Sequence, residues 1–158
     1  MVARPDKQAL AQQLNLALRE ATALGQVFGA TVAGRVGLGG IDLEYLDIIA
    51  LRGRMTAGEL AGATGLTTGA ITGVIDRLEN AGFVRRARDA KDRRRVHVVV
   101  VPARFAAAAR HYESMGAAVA KLTAEYSVED ISLILDYVTR STAVVREELE
   151  KLKARRPR

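Results

Sequence analysis

Ala61, Gly65, Ile71 and Val74 set the strongest constraint on what this chain can fold into. Two short helices that cross steeply must touch at a small residue. The turn between them must accept left-handed geometry, and the second helix needs an apolar inner face. These four residues meet all three demands at the spacing of a helix-turn-helix. Local signals place the helices around them. Thr56 and Glu59 have capping-box spacing and open a helix that carries Leu60 and Ala61 and breaks at Gly65. A second helix resumes after Thr67, carries Ile71, Val74, Ile75 and Leu78, and ends at Gly82. On a helical wheel those four apolar residues share one face, so Gly69, Thr72, Gly73, Asp76 and Asn80 point away from it.

The remaining chain reads as helices around one hairpin. From Asp6 to about Val32, Leu10, Leu14, Leu18, Ala21, Leu24 and Phe28 recur at helical spacing, and Gly34, Gly37, Gly39 and Gly40 end the run. Asp42 sits at an expected N-cap, and Leu43, Leu46, Ile49 and Ala50 mark a short helix that stops near Gly53. Phe83 to Ala87 and Val96 to Val101 read as two strands joined by a hairpin. Pro102 stops the second strand and opens one helix with Phe105, Ala109, Tyr112, Met115, Val119 and Leu122 on a stripe. Ser127 and Asp130 cap a last helix with Ile131, Ile134, Leu135, Val138, Val145, Leu149 and Leu152 on one side. Aromatic residues are 4% of the chain and Trp is absent, so the core must be Leu, Val, Ile and Ala. The expected fold class is mainly α (α+β): a winged helix-turn-helix over 41–101, flanked by helices over 1–40 and 102–158.

Charge points to the partner. Seven cations and two anions lie between Arg85 and Arg95, which puts +5 of the net +6 in the hairpin tip. Such a concentration fits a phosphate-bearing partner. Double-stranded DNA is therefore expected, with Thr67, Thr68, Gly69, Thr72 and Gly73 near base edges in the major groove and Arg77 on the flank for a phosphate or a guanine. Arg86, Arg88, Lys91, Arg93, Arg94 and Arg95 are expected along the backbone or in a narrow minor groove, with Asp92 pinning one of the arginines. Gly69 and Gly73 each cost about 1 kcal/mol of helix propensity relative to Ala. Either they permit close approach to DNA or they reflect drift in an Ala- and Gly-rich sequence.

Other chemistries lack their residues. Cysteine is absent, which excludes disulfides, thiolate metal sites and thiol nucleophiles. No nucleophile is paired with a base and no phosphate-binding glycine loop follows a strand, so no enzyme activity is expected. His97 and His111 are too isolated for a metal site, and no cofactor is expected. His97, in an alternating strand, is expected to face solvent or a DNA phosphate. Asp42, Glu44 and Asp47 read as an ordinary acidic helix start. No leader pattern opens the chain and no apolar run approaches the roughly 18 residues of a membrane span, so the expected location is cytoplasmic, with no membrane partner.

The segments Met55-Thr-Ala-Gly-Glu-Leu-Ala61, Gly65-Leu-Thr-Thr-Gly-Ala-Ile-Thr-Gly-Val-Ile-Asp-Arg-Leu-Glu79, Ala81-Gly-Phe-Val-Arg-Arg86 and Asp92-Arg-Arg-Arg-Val96 together resemble the MarR family of bacterial transcriptional regulators. The close motifs span about residues 42 to 101. The resemblance implies a homodimer built from the first and last two helices, with Leu10, Leu14, Ile134, Val138, Val145 and Leu149 in the dimerisation surface. Each subunit would then present one winged helix-turn-helix to a pseudopalindromic operator, acting as a repressor by occluding the promoter. Family wings commonly carry Asp-x-Arg, matched by Asp92 and Arg94, with the arginine in the minor groove. Many members have Arg directly after the recognition-helix Thr, where this chain has Gly73. That departure shifts the burden to Arg77 and the wing. Many relatives also bind small, often aromatic or anionic effectors between the dimerisation helices and the DNA-binding lobe. Phe28, Tyr45, Ile49 and Tyr112 would line such a pocket, and core packing explains the same four residues equally well. A winged-helix module that docks on acidic protein or RNA is the alternative, and it predicts no preference for duplex DNA.

Overall fold

The structure, a computed structural model, describes residues 6–90, 92 and 94–154. It comprises two compact units, Met1–Ala108 and Ala109–Arg158. Lys91, Arg93 and the end of the basic tail lie outside the described residues.

In the first unit, helix α1 (Lys7–Val36) begins where the Asp6 side chain accepts the Gln8 N–H. It runs through Gly34, beyond the end expected near Val32, and stops at Gly37. One interior glycine costs too little to break a long helix, whereas the left-handed backbone at Gly37 does end it. Helix α2 (Gly40–Arg52) follows at once, with α1 passing so close that a Cβ at residue 40 would lie 3.3 Å from the Ala30 Cβ. Gly39, not Asp42, is the N-cap, and Asp42 is buried in the first turn with its carboxylate turned toward another helix.

The two central helices form where the sequence places them. Strand β1 (Met55–Thr56) leads into α3 (Ala57–Thr64), where Thr56 and Glu59 cap each other: the Glu59 N–H donates to Thr56 Oγ1 at 3.2 Å and the Thr56 N–H donates to Glu59 Oε2 at 2.7 Å. Gly65 closes α3 at φ 76°, a conformation that would strain a residue bearing a Cβ. Thr67 then caps α4 (Thr68–Asn80) by accepting the Ala70 N–H. The inner face of α4 is the apolar one foreseen: Ile71, Val74, Ile75 and Leu78 are all buried. They share a core with Leu46, Ile49, Leu60, Phe83 and Val84.

Strands β2 (Val84–Arg88) and β3 (Val96–Val100) pair antiparallel, Arg86 opposite Val98 and Arg88 opposite Val96. β1 adds a third strand, Met55 opposite Val98 and Thr56 opposite His97, in the order β1-β3-β2. That two-residue strand is too short to show as periodicity, and it makes β3 the central strand. His97 is consequently buried rather than turned to solvent or phosphate. Its Nε2–H donates to Asp89 Oδ2 at 3.0 Å.

Pro102 opens α5 (Pro102–Ala109) as expected. The single helix expected from there to Leu122 is interrupted by a 3-10 turn at Arg110–Tyr112, a tightening common at helix ends and forced here by no proline or glycine. The second unit continues with α6 (Glu113–Thr123) and α7 (Val128–Ala154). Ser127 and Asp130 cap α7 reciprocally, which holds the Asp130 carboxyl below its ordinary pKa. No described residue of α6 or α7 is buried, and Ile134, Val138, Val145 and Leu149 remain between 42% and 67% exposed. Leu10 and Leu14 of α1 are similarly open.

Among the described residues no helix is long and apolar enough to cross a membrane, and no group of three His, Asp or Glu residues is placed to hold a metal ion.

Candidate nucleic-acid interface

Because one face of α4 is committed to the core, its opposite face is left to solvent. Thr67, Thr68, Gly69 and Thr72 are exposed and Gly73 is half-buried. The Thr72 hydroxyl donates to the Thr68 carbonyl at 2.9 Å. A Cβ at Gly69 would meet only open space, so no contact among the described residues requires glycine there.

Several of the cations expected at DNA are already engaged by carboxylates, Arg77 and Arg86 most fully. Arg77 donates from Nε and Nη2 to the two carboxylate oxygens of Asp42, at 2.9 and 2.7 Å. These bonds raise its pKa above the ordinary guanidinium value. Arg86 bridges the wing to α4: its backbone N–H and Nη1 donate to Glu79, and its Nη2 donates to Asp76 at 2.6 Å. Asp76 lies on the outward face of α4, so the root of β2 stands beside that face. Sequence order alone could not assign these partners, since each residue reads locally as an ordinary exposed charge.

Asp89 organises the hairpin tip. Its Oδ2 takes His97 and lies 3.6 Å from Arg54 Nη1, its Oδ1 accepts the Asp92 N–H, and its own N–H donates to the Arg95 carbonyl. The Arg95 side chain reaches Glu59 Oε1 at 3.1 Å, tying the tip to the start of α3. Sequence reasoning missed Arg54 and Asp89, and the one available signal was an acid embedded in a run of arginines. Asp92 does pin an arginine, as expected: Oδ1 accepts both the N–H and the Nε–H of Arg94, whose side chain is nevertheless 93% exposed. Arg85 and Arg88 are exposed as well.

The four residues nominated for an effector pocket are not equivalent. Tyr45 and Ile49 are buried in the first unit, and Phe28 is half-buried there. Tyr112 is half-buried in the second unit.

Glu59 makes the junction sensitive to acid. The Thr56 backbone and side chain, followed by Arg95 and His97, hold its carboxyl below the ordinary glutamate value. A carboxyl with a lowered folded-state pKa stabilises the fold above the unfolded-state value and loses that contribution as pH falls through the lowered one. Glu59→Gln is therefore expected to melt below the unsubstituted protein at neutral pH, with the gap closing in acid. An equal gap in thermal midpoint at neutral pH and at about pH 3 would remove Glu59 from the acid response.

Comparison with known proteins agrees with this geometry. The MarR family model matches residues 42–96, which run from the first turn of α2 to the start of β3. The uncharacterised HTH-type transcriptional regulator YcgE of Bacillus subtilis (strain 168) is 40% identical over 131 residues, covering 80% of this chain and 82% of that protein. The chain belongs to the MarR family. This MarR-family chain is thus a DNA-binding transcriptional regulator, and its family is one of regulators rather than enzymes. The transcriptional regulator Tm0710 from Thermotoga maritima is 26% identical and superposes with a TM-score of 0.58, covering 88% of this chain and 98% of that one. Streptococcus pneumoniae FabT, solved in complex with DNA, is 19% identical with a TM-score of 0.65, covering 90% and 99%. At that identity FabT speaks to the fold, which is the winged helix of MarR regulators.

Proposed function

We propose that this MarR-family chain works in the cytoplasm as a homodimeric repressor of a pseudopalindromic operator. Residues 67–81 would enter the major groove and the arginine-rich wing over 85–95 would lie at the minor groove. The observation that carries the reading is the Arg86 bridge to Asp76 and Glu79, which joins the base of the wing to the helix whose outer face is free. Thr67, Thr68, Gly69, Thr72 and Gly73 then face base edges. Arg88, Arg94 and Arg95 supply positive charge to the backbone, with Arg94 the best exposed for a narrow minor groove. Lys91 and Arg93, expected from the sequence to join them, lie outside the described residues. Arg86 serves as a brace, since its guanidinium is taken up by two carboxylates.

The second copy is argued from the apolar side chains that α1 and α7 each leave uncovered, because large exposed apolar patches mark protein interfaces. A bound effector draws less support, since Tyr45 and Ile49 have little surface to offer a ligand.

Selection of bound sequences from a random duplex pool tests the reading. The expected product is a pseudopalindrome with half-sites about 10 bp apart and AT-rich steps where the wing would insert. Recovery of a single half-site, or equal affinity for single strands, would overturn it.

A further inference from the structure

Asp42 is 4% exposed and caps nothing, since Gly39 holds the cap position of its helix. A buried carboxylate is a poor choice for stability alone, because a well-packed apolar residue usually serves as well or better. Among the described residues both of its carboxylate oxygens accept from one side chain, that of Arg77, on the helix assigned to the major groove.

The arrangement fixes more than charge. Both Asp42 oxygens are used, one by Nε and one by Nη2, so the guanidinium plane is held at two points rather than one. The Asp42 side chain is 6% exposed, whereas the Arg77 side chain is 55% exposed. Nη1 has no acceptor among the described residues, and it lies 3.6 Å from where a Cβ of residue 73 would sit. A Cβ there would make only ordinary contact with it, so Nη1 lies against the outer face of α4 at residue 73.

From this we infer that Asp42 is a positioning residue for operator recognition: it aims Arg77 so that Nη1, next to Gly73, donates to one fixed acceptor on the operator. The acceptor is a phosphate oxygen or a guanine edge. The inference rests on the operator-binding reading above. Pairing also offsets the charge of Arg77, which withholds a full cation from DNA of any sequence. Asp42 therefore favours the correct site twice, by direction and by charge.

This two-part role predicts opposite effects on two duplexes. In the full-length protein, Asp42→Asn keeps the shape, loses the second strong acceptor and releases the positive charge. Affinity for the selected operator is expected to fall about tenfold. Affinity for a mixed-sequence duplex of equal length should hold or rise, with the log-log salt slope steeper by about 1 per subunit. A role confined to folding would lower both affinities together, and that result, or no change in either, overturns the inference. If circular dichroism shows that Asp42→Asn does not fold, Arg77→Lys decides the matter. Lysine keeps the charge but cannot span both oxygens and still present a third donor, so it should lose operator affinity while retaining mixed-sequence binding. The two proposals fail separately. A random pool that yields no consensus removes the operator reading and this inference with it, while a consensus that Asp42→Asn reads with unchanged preference overturns this inference alone.

Discussion

Leu78→Ala is expected to destabilise the protein by about 2–5 kcal/mol, a large share of the roughly 5–15 kcal/mol that holds a typical domain folded. Leu78 is fully buried on the inner face of α4, and its carbonyl accepts the Phe83 N–H at 2.9 Å where the chain turns into the wing. Truncation removes packed methyl groups and leaves a cavity that α4 cannot fill without shifting against α2 and α3. The denaturant midpoint should fall with an unchanged slope. Thr72→Ala makes the contrast, because Thr72 lies on the exposed face of the same helix. It should alter stability by no more than about 0.5 kcal/mol while weakening operator binding. A Leu78→Ala protein that unfolds with the parent would mean that α4 is not seated on this core.

Paired substitution of Ile134 and Val138 by Asp is expected to yield monomers and to weaken operator binding by about a hundredfold or more. The two residues are one helical turn apart on α7 and are 46% and 45% exposed in the single chain, which places them in the proposed self-association surface. Two carboxylates placed there would be buried unpaired in a dimer, which opposes association strongly. Losing the second subunit removes the effective-concentration advantage of binding two linked half-sites, commonly 10² to about 10⁴ in affinity. The winged body buries its own core within one chain, so binding to an isolated half-site duplex should survive. Sedimentation and paired titrations against half-site and full-site duplexes provide the measurement. A variant that stays dimeric and binds the full site normally would place the self-association surface elsewhere.

Much of this regulator was legible because its instructions are local. Thr56, Glu59, Gly65 and Thr67 set helix ends through hydrogen bonds or backbone angles within a few residues of themselves. The spacing of Ile71, Val74, Ile75 and Leu78 dictated which face of α4 goes inward, and with it which face stays free. The hairpin and its concentration of arginine were equally plain, as was the reciprocal cap at Ser127 and Asp130.

Which carboxylate, if any, holds each of these cations was decided only by the folded chain. Arg77, Arg86 and Arg94 look alike in sequence. The fold sets Arg77 on a buried acid 35 residues away, fastens Arg86 to two acids on α4, and leaves Arg94 almost wholly exposed with only its neighbour Asp92 as partner among the described residues. His97 changed from an exposed residue to a buried one because two residues, Met55 and Thr56, pair along the far edge of its strand. Helix ends and apolar faces follow from neighbours along the chain, and so the sequence carries them by itself. The partner of a charge, or the strand that covers another, depends on which distant segments the core brings together, and that is a property of the tertiary structure.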